Sequence, residues 1–182
     1  MSELETLRTS FVAFIDGLWW GLRDSTGPLS MYEGYARGFK QMGIEIAEKE
    51  GGKGATAAAE IAAKIFTAIG LDVAVDEKSI IVKKCPVWDR ILERGLEFAF
   101  HVEEICWIPM LEGIGEITGS KPEMELSLRL AHIAKSKLLY KKGKAKAAFD
   151  KGQITKEEYD KEIVILDKSI ENAPTLGLYR FK

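Results

Sequence analysis

Between Leu71 and Lys84 the hydrophobic period of the chain drops from 3.6 to 2, and this switch constrains the fold more than any other feature. "LDVAVD" and "SIIVKK" read as two short strands, because side chains two apart share one face of a pleated ribbon. Asp76-Glu77-Lys78 joins them as a turn. A hairpin alone is marginal in water and must lay one face on something apolar. The flanking runs have helical spacing, so the predicted class is α+β: a small antiparallel sheet packed against several helices.

Those runs are specific. From Leu4 to about Arg23, Leu7, Phe11, Phe14, Ile15, Leu18, Trp19 and Leu22 recur at helical intervals until "DSTGP" ends them. Ser30 and Glu33 have the spacing of a capping box and predict the start of a second helix, which carries Tyr35, Phe39, Met42 and Ile46 before Gly51-Gly52. Gly34, Gly38 and Gly43 lie inside it. Each costs up to about 1 kcal/mol relative to Ala in a helix, so the reading is close packing against another backbone. Ala55 to Ile69 is a third helix ended by Gly70. Cys85-Pro86 closes the second strand, and Val87 to Arg94 is a short helix opened by proline.

Residues 97 to 118 read as one central apolar helix with a kink or restart at Pro109. "EMELSLRL", residues 123 to 130, alternates throughout and predicts a third strand. Seven lysines between residues 135 and 151 then precede a helical hairpin broken at Gly152, whose second helix opens with the Thr155–Glu158 capping spacing. Its stripe of Tyr159, Ile163, Val164, Leu166 and Ile170 needs burial on the main domain or a second chain. The tail "TLGLYRFK" is too apolar to stay free without a docking partner. The organisation expected is an α+β domain over residues 1–138 and a hairpin with tail over 139–182.

Composition excludes some classes of function. A formal net charge of -2 offers no general attraction for nucleic acid or anionic membrane. The first apolar run is interrupted by Asp16, so neither a signal peptide nor a membrane span is expected, and the location expected is cytoplasmic. Two cysteines make no disulfide framework.

The chemistry-bearing residues collect in "KKCPVWDRILERGLEFAFHVEEICWIPMLEGIG". Cys85 lies between a strand end and a helix start, where free amides and the helix dipole lower a thiol pKa; with His101 or His132 as base it is a candidate nucleophile. Cys85, Cys106, His101 and His132 are an alternative set of ligands for a metal or haem, although no close CxxC pair supports it. Taken alone, Cys106 reads better as a small hydrophobe of a buried helix than as a ligand. No phosphate-loop, nucleophile-elbow, HExxH or EF-hand pattern occurs.

The order of elements, with "MYEGYARGFKQMG", the Ile81–Pro86 junction and "CWIPMLEGIGEITG", resembles the 4-vinyl reductase (hydrocarbon-binding) domain family and its aminothiazoline-carboxylate hydrolase-like relatives over about residues 30 to 138. That family is similar in fold to subunits of the TRAPP tethering complex and to haem-based nitric oxide sensors. The resemblance implies a pocket for an apolar molecule, with Tyr35, Phe39 and Met42 on one helix and Phe98, Trp107 and Met110 on another as its lining. The family often has further cysteines on and after the last strand; here that region reads "LRLAHIAKSK".

The expectation is a binding domain, rather than an enzyme, that encloses an apolar or aromatic small molecule in a sensory or carrier role and forms a homodimer. A Cys85-dependent hydrolase of a small cyclic amide and a metal or haem protein remain the alternatives, and no particular cofactor is specified.

Overall fold

The computed structural model describes residues 1–182. It is 69% helical, with seven α-helices and a four-stranded antiparallel sheet, which is the α+β class. The chain forms two compact units, Met1–Ser127 with Leu176–Lys182, and Leu128–Thr175. The sequence reading divides it instead at 138–139, without returning the tail to the first unit.

In the first unit, helix α1 (Glu3–Thr26) opens with a capping box between Ser2 and Glu5. Helix α2 (Pro28–Glu50) follows after Gly27, whose φ of 82° is open to glycine at no steric cost. The predicted start at Ser30 is therefore corrected: Pro28 occupies the first turn with its φ already helical, and Ser30 lies inside the helix. Helix α3 (Gly54–Ala68) comes next, and Arg8 donates to the carbonyls of Thr67 and Ala68. A cation is thereby placed at the negative end of the α3 dipole.

Strands β1 (Asp72–Asp76) and β2 (Ser79–Lys84) form the expected hairpin. Helix α4 (Pro86–Glu93) follows Cys85 directly. The single apolar helix expected over 97–118 is corrected: residues 97–99 are turn, a π-helical turn spans Glu103–Trp107, and α5 runs from Ile108 to Thr118. Pro109 explains the change. It has no amide for the carbonyl four residues back and its ring would strike that carbonyl, so the preceding turn widens and Ile108 donates to Glu103.

Strand β3 (Pro122–Leu126) is shorter than the alternating run that announces it. Its partner is the tail, β4 (Gly177–Phe181), and pairing ends where Leu126 faces Leu178. Beyond that point the leucines favour helix, and α6 (Leu128–Asp150) begins in the second unit. The sheet order is β1-β2-β4-β3, so the tail is an interior strand rather than a free end. Ile80, Val82, Tyr179 and Phe181 are all buried, and Ile80 faces Tyr179 across the ladder. Phe66 of α3 meets Tyr179 at 6.1 Å between ring centres.

The second unit is α6 followed by α7 (Lys156–Glu171), whose Thr155–Glu158 capping box forms as predicted. Phe149 stacks on Tyr159 near the turn, and Leu166 is buried, whereas Val164 and Ile165 are exposed. No helix is long and apolar enough to cross a membrane.

Candidate ligand groove between the first two helices

The firmest junction in the first unit is between α2 and α5. A Cβ on Gly43 would collide with the Met110 carbonyl oxygen, and one on Gly113 with the Lys40 carbonyl oxygen. The backbones touch there because both helices present glycine at the crossing. Lys40 and Glu116 form an ion pair of 2.6 Å between the same helices. For Gly43 the expectation of backbone contact holds. For Gly34 and Gly38 it is corrected, because nothing lies within 4 Å of where their Cβ atoms would be.

What those two glycines face is a groove. Phe11, Phe14, Ile15, Leu18 and Leu22 of α1 and Gly34, Tyr35, Gly38, Phe39 and Met42 of α2 line a cavity of about 320 Å³. No lining side chain is charged. The one hydroxyl, on Tyr35, donates to the Ile15 carbonyl and is thereby occupied; desolvation by burial pushes its pKa upward. The Gly34–Gly38 spacing of four puts both on one side of α2, where missing side chains leave floor space between larger neighbours.

The six pocket residues inferred from the sequence divide accordingly. Tyr35, Phe39 and Met42 line the groove. Trp107 is buried one ring deeper, edge-on to Phe39 at 5.6 Å and to Phe66 at 5.5 Å. Met110 is fully buried, with its backbone against Gly43. Phe98 is 68% exposed and is not among the lining residues. The α1 wall escaped the sequence reading, although its signal was present: Leu4, Leu7, Phe11, Phe14 and Leu18 alternate steps of three and four over a longer stripe than the core requires.

The cysteines lie elsewhere in the unit. Cys85 is 2% exposed, at the start of α4, and its sulfur accepts from the Trp88 amide at 3.4 Å. The helix start predicts a lowered thiol pKa, but desolvation outweighs the amide bonds and pushes Cys85 up to about 12. At neutral pH it is the protonated thiol. Cys106 is fully buried on the π-helical turn and is raised well above the ordinary thiol range, by desolvation first and then by proximity to Cys85 and Glu103.

His101 is partly exposed, with Nε2 3.2 Å from the Phe98 carbonyl and its ring 6.3 Å from that of Tyr32. His132 belongs to α6 of the second unit. No group of three or more His, Cys, Asp or Glu side chains is placed to hold a metal ion.

The fold and groove together define an α+β domain with an apolar cleft between its two leading helices. No protein-family model, no curated protein and no solved structure matches the chain.

Proposed function

We propose that this protein binds a small apolar or aromatic molecule in the groove between α1 and α2, as a carrier or sensor rather than as a catalyst. The observation that carries this reading is the groove wall: ten residues, none charged, with a glycine floor left open at Gly34 and Gly38. Binding sites for small molecules are concave and chiefly apolar, with few polar groups. Here the single hydroxyl is already satisfied inside the protein, so recognition rests on shape and burial of apolar surface. The motif resemblance read from the sequence over about residues 30 to 138 implies the same class of ligand.

Native mass spectrometry of the purified protein tests it first, followed by titration with fatty acids, tetrapyrroles and the apolar fluorophore N-phenyl-1-naphthylamine. Saturable binding is expected, and Gly38→Leu, which puts a side chain into the open floor, is expected to abolish it while the helical circular dichroism persists. Absence of any copurified molecule together with no saturable binding would refute the proposal, as would unchanged binding in Gly38→Leu.

A further inference from the structure

The groove is open on one side. Phe14, which lines it, is 63% exposed, and Leu7, two turns earlier on the same stripe, is 65% exposed. Only α1 and α2 contribute to its wall. An apolar ligand lying there keeps one face in water, whereas bound small molecules usually bury most of their surface. Closure therefore needs a further surface, and α2 shows which one.

Along the solvent side of α2, every fourth residue from 33 to 49 is exposed: Glu33, Arg37, Gln41, Glu45 and Lys49. Their charges read minus, plus, neutral, minus, plus. Reversing the row inverts the sign at every charged position, with Gln41 as its centre. A second copy laid antiparallel, Gln41 on Gln41, sets Arg37 of each copy against Glu45 of the other, and Glu33 against Lys49. A parallel copy in the same register sets like charge on like. Rows of every fourth residue are the ridges of a helix, and the commonest helix crossing lays such ridges along one another. Gly34, Gly38 and Met42 form the next row, on the groove side.

Within one chain the row makes only exposed contacts one turn apart: Gln41 Nε2 donates to Glu45 Oε1 at 3.1 Å, a bond that water or a partner's Arg37 can replace. The Glu33–Arg37 pair is long at 3.9 Å, and the Arg37 side chain is 85% exposed. A two-fold interface also requires each surface to carry both the projection and the recess that receives it. This surface does: Phe14 projects, and the glycine floor of Gly34 and Gly38 is bare.

We propose that the ligand site is completed by a second copy of this chain, related by a two-fold axis at Gln41, with Phe14 of each copy roofing the groove of the other. The inference rests on the ligand-binding reading for the contents of the site, while the charge row argues independently for the copy that covers it.

Sedimentation equilibrium of the full chain at low ionic strength tests the contact, with binding of N-phenyl-1-naphthylamine as a second readout. The wild type is expected to be a dimer. Arg37→Glu sets Glu against Glu45 and Glu45→Arg sets Arg against Arg37, so each single change is expected to weaken dimerisation by roughly tenfold or more. The double variant R37E/E45R restores opposite charges and is expected to recover both the dimer and the wild-type affinity for the fluorophore. All four residues of the two symmetric contacts are exposed, so circular dichroism is expected to stay native throughout.

A wild type that remains monomeric at high concentration but binds the fluorophore overturns this inference and leaves the ligand reading standing. A charge-rescued dimer that binds no fluorophore sinks the ligand reading, and with it the shared site. A double variant no more dimeric than either single change refutes the antiparallel register.

Discussion

Asp16 shows how one carboxylate can join two elements that the sequence keeps far apart. It is buried on α1 and accepts from Arg90 Nε and Arg94 Nη2, each at 3.0 Å, so that α1 is tied to α4 and the residue just beyond it. Both arginines stay 39% to 44% exposed and can rehydrate, which limits the penalty when the carboxylate is lost. Asp16→Asn is expected to cost about 2 kcal/mol, the scale of hydrogen bonds to charged groups, as measured by urea unfolding. The cysteines give a prediction of opposite character. An unfolded thiol loses its proton near pH 8.5, whereas Cys85 in the folded chain keeps its proton up to about 12. Between these values the unfolded state binds fewer protons, so stability is fully present below about pH 8.5 and falls as pH rises. The urea midpoint is expected to decline from pH 9 to pH 11, and to decline less steeply in Cys85→Ala, by at most about 1.36 kcal/mol per pH unit. Equal slopes would show that the thiol is not held protonated by burial. Iodoacetamide is expected to leave Cys85 unlabelled in the folded protein at pH 8, because it is both protonated and enclosed.

Three glycines on α2 look equivalent in a sequence and are not. Gly43 lies where the Met110 backbone leaves no room for a methyl group, whereas Gly34 and Gly38 face open space. Gly43→Ala must push α2 and α5 apart and is expected to destabilise by about 1–3 kcal/mol. Gly34→Ala and Gly38→Ala meet no obstacle and are expected to stabilise by about 0.5–1 kcal/mol through lower unfolded-chain entropy. Thermal melts of the three variants decide the matter, since the predicted shifts differ in sign. Capping teaches a similar lesson. Ser2–Glu5, Ser30–Glu33 and Thr155–Glu158 share one spacing, yet the box forms only at the first and third. Gly27 and Pro28 start α2 before Ser30 is reached, so the local pattern is overruled by stronger punctuation just upstream. Pro109 was legible as a disturbance, and the π-helical turn is the form it takes. The α1 wall of the groove was legible only as an amphipathic stripe, because a stripe does not say whether it faces core, ligand or another chain.

At the scale of the whole chain, the least legible element is β4. Five residues at the tail pair with β2 on one side and with β3 on the other, across sequence separations that no local period encodes. The apolar composition of "TLGLYRFK" showed that the segment needs a partner, and the ladder supplies it within the chain. The second unit, Leu128–Thr175, is consequently an insertion between two neighbouring strands. Leu126 and Leu178 are register partners, so the ends of that insertion are about one strand spacing apart, roughly 5 Å. A short turn can span such a gap. Replacing residues 128–175 by Asn-Gly is therefore expected to leave a chain with one cooperative thermal transition and with undiminished binding of the apolar fluorophore. Truncation after Thr175 makes a smaller deletion in residues and a larger one in structure. It removes the strand joining β2 to β3 and two buried aromatic rings, Tyr179 and Phe181, each large enough that loss of its burial costs several kcal/mol, on the order of 3–5. Against a total stability of about 5–15 kcal/mol, the truncated chain is expected to lose its cooperative transition. If the chain lacking the hairpin unfolds as readily as the chain lacking the tail, the sheet does not hold the first unit together by itself.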